Sequence, residues 1–98
     1  MSLPIILRLA AKVDMAEARD WYEQHKPGLG QEFLDAVDAT LDRIRQSPES
    51  YAKRYKGVRP AGLRRFPYVV YYRVLDTCVE VLGVVHGSRS SKAWRSRA

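Results

Sequence analysis

Apolar positions along this chain follow two different periods, helical in the first half and alternating in the second. Phe33, Val37, Leu41 and Ile44 recur at i, i+4, i+8 and i+11 with Leu34 beside them, while Glu32, Asp35, Asp38, Asp42 and Arg43 occupy the other faces. That spacing predicts an amphipathic helix stopped by Ser47-Pro48. Upstream, Asp14 and Glu17 have the spacing of an N-terminal capping box, and Ala18, Trp21, Tyr22 and His25 share one helical face. A first helix is therefore expected from Asp14 to Lys26, closed by the breaker and turn of Pro27-Gly28-Leu29-Gly30. So short a connection makes the two helices an antiparallel hairpin whose apolar stripes need a sheet to cover.

The sheet signals follow. Tyr68–Leu75 and Cys78–His86 are dense in β-branched and aromatic residues, and the two residues between them predict a tight hairpin. Tyr55–Leu63 is interrupted by Gly57, Pro60 and Gly62, which places it towards an edge. Pro4–Leu9 reads as a first strand. Pairing Leu75 with Cys78 sets Arg73 opposite Glu80. It also puts Val70, Val74, Val79, Val81 and Val85 on one face, the expected core. Tyr71, Arg73, Glu80, Leu82 and His86 then share a second face left at least partly open. Tyr71 and Tyr72 point to opposite faces, one into the core and the other free to stack on a base. The expected fold class is α+β: an N-terminal strand, an antiparallel helical hairpin, then a three-stranded antiparallel unit, all in one sheet with the helices on one face.

Composition narrows the classes. A chain of 98 residues with 46% hydrophobic content is expected to form a single domain over 1–98, with residues 89–98 as a basic tail. It has no apolar run of membrane-spanning length, and no signal peptide is visible at its start. A lone cysteine, Cys78, fits a reducing compartment, so a cytoplasmic location is expected. Two histidines and one cysteine far apart in sequence predict no metal site, and no phosphate-binding loop or dinucleotide glycine motif points to a cofactor. The formal charge of +6 is unevenly spread, with residues 1–50 acidic and residues 51–98 strongly basic. Such asymmetry points to nucleic acid or to an acidic protein partner.

Four segments taken together carry a resemblance: Trp21-Tyr22, Pro27-Gly28-Leu29-Gly30, Arg65-Phe66-Pro67-Tyr68, and His86 with Arg89 three residues on. With the order of elements around them, from about Asp14 to Arg97, the chain resembles the RelE/ParE toxin superfamily. One departure is local: where the family commonly continues Asp-Pro after Arg89, this chain reads Ser90-Ser91. The resemblance implies the toxin of a type II toxin–antitoxin module, cytoplasmic and neutralised by a cognate acidic antitoxin, in a toxin–antitoxin hetero-oligomer or with a homodimer as a further possibility. It implies either a ParE-like poison of DNA gyrase, the favoured reading, or a RelE-like nuclease that cuts messenger RNA on the ribosome. A non-toxic RNA- or protein-binding module of the same fold is the third class.

For metal-independent RNA cleavage, histidine suits proton transfer near neutral pH and arginine suits a phosphate clamp. Candidates on the nuclease reading are His86, Arg65, Arg73 and Arg89. Arg59, Arg64, Arg65 and Arg89 are candidates for binding phosphate or an acidic partner. Lys53, Arg54, Lys56, Lys92, Arg95 and Arg97 are expected as a solvated rim, His25 as a structural residue at a helix end, and Trp94 docked on the core. The tail after Arg89 holds neither a tyrosine nor a second histidine, which favours the non-enzymatic reading.

Overall fold

A computed structural model describes residues 3–89 and 91–98, so Ser90, the first residue of the departure from Asp-Pro, lies outside the described residues. The elements run β1 (Ile5–Leu7), α1 (Leu9–His25), α2 (Leu29–Gln46), β2 (Arg59–Gly62), β3 (Tyr68–Val74), β4 (Val79–His86) and α3 (Lys92–Arg95). The expected α+β arrangement is present: α1 and α2 lie on one face of a four-stranded sheet ordered β1-β4-β3-β2. β1 runs parallel to β4, and the other pairs are antiparallel.

The stripe on α2 does what its period implies. Phe33, Val37, Leu41 and Ile44 are buried against Val70, Tyr72, Val79, Val81 and Val84, with Leu34 half-buried beside them. Two departures concern α1. It starts at Leu9, so the expected first strand shortens to Ile5–Leu7 and Asp14 lies inside the helix instead of capping it. Its inward face is Ala11, Met15, Ala18 and Tyr22, whereas Trp21 is outside, 53% exposed, and stacked on His25 at 3.8 Å. Between the helices Gly28 has φ 90°, a left-handed conformation that glycine adopts without strain. Gly28 has no side chain to cap α2, so the Glu23 carboxylate reaches across from α1 and accepts the backbone N–H groups of Gly28 and Gly30. A Cβ on Gly30 would lie 2.8 Å from the Arg19 carbonyl oxygen, which explains why the hairpin closes on glycine there.

The β3–β4 hairpin turns through Asp76-Thr77, with Leu75 N–H donating to the Cys78 carbonyl and Arg73 opposite Glu80, as the pattern predicts. Beyond Tyr72 the register changes. Tyr72 pairs with Val81 but Tyr71 pairs with Gly83, leaving Leu82 as an extra residue in a β-bulge. Past the bulge the parity of β4 is reversed. Val85 is therefore absent from the helix-side core where it is expected, and Val84 takes its place. His86, expected on the far face, instead pairs with Tyr68 beside α1. The expected weak strand over Tyr55–Leu63 contracts to Arg59–Gly62 at the sheet edge.

The far face is also less open than the pattern implies. The tail folds back as α3, and Trp94 is buried on Val58, Leu82, Tyr55 and Tyr71. β1 reaches only as far as Val81, so the outer edge of β4 past that point lacks a strand. Asp14 and Arg97 cover it: Val84 N–H donates to Asp14 Oδ2 at 3.0 Å, and Arg97 Nη1 donates to the Leu82 carbonyl at 3.2 Å. The two side chains join at 2.6 Å.

Candidate functional site

Of the four residues that a nuclease would need together, the sheet holds Arg73 apart from His86. His86 and Tyr68 end the sheet on the α1 side, in a cleft of about 500 Å³ lined also by Glu17, Ala18, Trp21, Tyr22 and Pro67. His86 Nδ1 accepts the Ser88 backbone N–H at 3.1 Å and lies 2.7 Å from the Ser88 hydroxyl. The neutral ring therefore carries its proton on Nε2. Arg73 is five positions along β3 from Tyr68, about 17 Å at the rise of a strand. Its Nε donates to Glu80 Oε1 at 2.9 Å, so the expected cross-strand pair forms and neutralises it. Arg65 sits in the β2–β3 turn with φ 70° and pairs with Glu32 of α2 at 2.9 Å.

Arg89 belongs to another group. Just beyond β4 its backbone N–H donates to the His86 carbonyl, and its side chain lines a cleft of about 330 Å³ on the α3 side of the sheet. Arg54 and Arg95 line the same cleft, with Tyr71 and Trp94 stacked at 4.6 Å and 13° between planes. Tyr71 is thus covered by Trp94, while Tyr72 is in the core with its hydroxyl donating to the Pro48 carbonyl at 2.6 Å. Arg95 also lies 4.9 Å from the Tyr55 ring centroid. Among the described residues neither Arg54 nor Arg89 has a carboxylate partner, so the cleft keeps net positive charge beside an aromatic surface. The charge pattern of the sequence locates this half of the molecule but assigns Arg54 and Arg95 to a solvated rim. The signal that identifies them is the docked Trp94, which carries Arg95 with it and brings both to the face of Tyr71.

Of the other phosphate candidates, Arg64 is exposed in the β2–β3 turn. Arg59 is 8% exposed, and its Nη1 donates to the Glu49 and Tyr51 carbonyls, tying the segment after α2 to the sheet. Burial raises the phenols of Tyr22, Tyr68 and Tyr71 above their ordinary range. For Tyr68 the Arg89 charge opposes that rise, and for Tyr71 a Trp94 hydrogen bond and the Arg54 charge do. These cations therefore act on the aromatic rings next to them.

Among the described residues no helix is long and apolar enough to cross a membrane. The family model for the ParE toxin of the type II toxin–antitoxin system parDE matches residues 5–91. Toxin ParE2 of Mycobacterium tuberculosis is 35% identical over 81 residues, spanning 82% of this chain and 77% of that protein, in two strains alike. Among solved structures, the fold is similar to the chromosomal ParDE toxin–antitoxin system from P. aeruginosa, with a TM-score of 0.66 and 21% identity over 87% of this chain and 96% of that one. It is also similar to the toxin–antitoxin complex RelBE2 from Mycobacterium tuberculosis, with a TM-score of 0.61 and 22% identity over 88% and 99% of the two chains.

Proposed function

Because the chain belongs to the ParE toxin family of type II toxin–antitoxin systems, we propose that it acts in the cytoplasm by binding DNA gyrase, with no RNA-cleaving step, until an acidic antitoxin sequesters it. The observation that carries the choice is that the catalytic candidates do not make one set of free donors around His86. Proton transfer and phosphate clamping need groups within hydrogen-bond reach of one phosphodiester. His86 and Arg73 are at opposite ends of the sheet, Arg73 is neutralised by Glu80, and Arg65 is paired with Glu32. A binding toxin needs only a surface, and the cleft of Arg54, Arg89 and Arg95 around Trp94 supplies cations with an aromatic centre, the composition of an interface anchor.

The antitoxin reading rests on two further surfaces. Leu9, Val13 and Trp21 leave apolar area exposed on α1, which an amphipathic helix can cover. The basic half of the molecule complements an acidic segment. One preparation tested for inhibition of gyrase supercoiling and for cleavage of ribosome-bound messenger RNA decides between the mechanisms. Supercoiling inhibition that is lost on reversing Arg89 and Arg95 to glutamate supports gyrase binding. Messenger RNA cleavage abolished by His86→Gln supports the nuclease and overturns the proposal.

A further inference from the structure

The tail crosses the sheet margin where β1 stops pairing, and it reaches α1 on the other side. α3 is four residues long, and main-chain bonds around it stay within the tail: Trp94 and Arg95 N–H donate to the Ser91 carbonyl, Arg97 N–H to that of Trp94, and Ala98 N–H to that of Arg95. A single helical turn does not hold itself in water, so its place depends on what its side chains grip. Trp94 is buried on Val58, Leu82, Tyr55 and Tyr71, on the face away from α1 and α2. Arg97, three residues on, turns around the margin. Its Nη1 donates to Asp14 Oδ2 at 2.6 Å and to the Leu82 carbonyl at 3.2 Å, and its Nη2 to Asp14 Oδ1 at 3.3 Å. The strand is shaped for this arginine. Gly83 does not have a left-handed backbone, but a Cβ on it would lie 2.5 Å from Arg97 Nη1, so the seat accounts for the glycine.

We infer that the Asp14–Arg97 bridge is a latch that sets how often α3 lifts from the sheet, and that it thereby controls the cleft of Arg54, Arg89 and Arg95. The tail supplies Ser91, Trp94 and Arg95 to the lining of that cleft. Lifting α3 therefore removes the aromatic centre and one of the three arginines together. Burial of Trp94 favours the closed state but is non-directional, whereas a two-pronged arginine–carboxylate pair admits one geometry. Arg95 lies between these two anchors, which keep its guanidinium 4.9 Å from the Tyr55 ring centroid. The bridge is also sheltered, with side chains 11% and 25% exposed, so salt screens it less than a surface pair. Asp14 belongs to α1, across the sheet from the cleft. A partner's cation that takes the Asp14 carboxylate thus loosens the cleft without touching it. The latch follows from the tail geometry alone, and its consequence for the target rests on the reading of this cleft as the gyrase-binding surface.

Hydrogen exchange of the Trp94 indole N–H, which bonds to Tyr71, provides the test in the full chain, with the Leu41 N–H of α2 as the core reference. In the parent the indole proton is expected to exchange faster than Leu41 N–H and to respond little to low urea, the mark of local opening. Arg97→Gln and Gly83→Ala should each speed it about tenfold, the loss of one charge-assisted contact, and Asp14→Asn by a few-fold. Gly83→Ala does so with every charge retained, by filling the arginine's seat. An indole proton that matches Leu41 in rate and urea dependence shows that α3 opens only with the whole fold, and overturns the latch. Unchanged indole exchange in Arg97→Gln and Asp14→Asn overturns it as well, even if Gly83→Ala does not fold. Inhibition of gyrase supercoiling should fall in the order in which indole exchange rises, and full inhibition with a loosened α3 overturns control of the cleft. Inhibition that survives Arg89→Glu with Arg95→Glu marks instead the failure of the gyrase reading, and the exchange rates then decide the latch by themselves.

Discussion

Replacing Asp14 by alanine tests how the sheet is closed where β1 ends. The Asp14 side chain is 11% exposed and accepts from Val84 N–H at 3.0 Å and from Arg97 at 2.6 and 3.3 Å. Losing a hydrogen bond to a charged acceptor is worth about 1.5–3 kcal/mol when the donor stays buried, as Val84 N–H would. Arg97 retains the Leu82 carbonyl and is 25% exposed, so it relaxes partly into solvent and the full cost of a stranded buried charge does not apply. Alanine returns about 0.5 kcal/mol through its higher helix propensity inside α1. The net expectation is a loss of about 2–3 kcal/mol. With a urea slope of about 1.5 kcal/mol/M, the unfolding midpoint falls by about 1.5–2 M. The conservative change Asp14→Asn keeps an acceptor for Val84 and should lose about half as much. In a double-mutant cycle with Arg97→Ala, the coupling should reach about 1–2 kcal/mol. A midpoint shift below about 0.3 M in Asp14→Ala, or no coupling to Arg97, refutes the account of this edge.

Further expectations address the core, pH and the turn. Leu41→Ala should cost about 2–4 kcal/mol in urea unfolding, since Leu41 is 5% exposed between α2 and the sheet. Burial pushes the Tyr72 phenol up to about 12 from 10.0, so above pH 10.0 the folded chain holds a proton that the unfolded chain has lost. Stability from this group is complete below about pH 10 and falls as pH rises towards about 12. Tyr72→Phe should flatten that fall and cost about 1 kcal/mol at neutral pH through the lost bond to the Pro48 carbonyl, both read from unfolding curves against pH. Arg65→Gly relieves a left-handed backbone worth about 1 kcal/mol while losing an exposed ion pair worth less, so its melting curve should equal or exceed the parent's. Trp94→Ala should uncover Tyr71 and Leu82, detected as increased binding of a hydrophobic dye and a loss of about 3 kcal/mol.

Sequence reading works best where one face of an element is wet. α2 is polar on all faces but one, so its period locates the buried residues, and the hairpin turn fixes Arg73 against Glu80. Reading fails on β4, where the five residues Val81–Val85 are all buried because α1 and α2 cover one face and α3 the other. Alternation carries no information in such a run, and a bulge passes unseen. Gly83 is the available sign, since a Cβ there would lie 2.5 Å from the Arg97 guanidinium. The candidate site suffers from the same slip. Parity assigns His86 to the face of Arg73, and the bulge moves it to the opposite one. Asp14 matches a capping motif by its spacing to Glu17, but its acceptor oxygens are required by Val84, 70 residues away, a demand no local pattern records.

The Asp14–Arg97 pair also has a timing. Arg97 follows Leu82 by 15 residues, which at 5–20 residues per second is roughly 1–3 s of synthesis. Throughout that interval the nascent chain carries Val84 N–H and the Leu82 carbonyl, once made, without the arginine that helps to seal them. A partner produced alongside the chain meets a strand margin still open, whereas one arriving later must compete with a side chain already in place. Clipping a few residues around Arg97 would return a mature molecule to the earlier condition. Susceptibility to pairing with a foreign strand is therefore set by the age and integrity of the chain as well as by its folded shape.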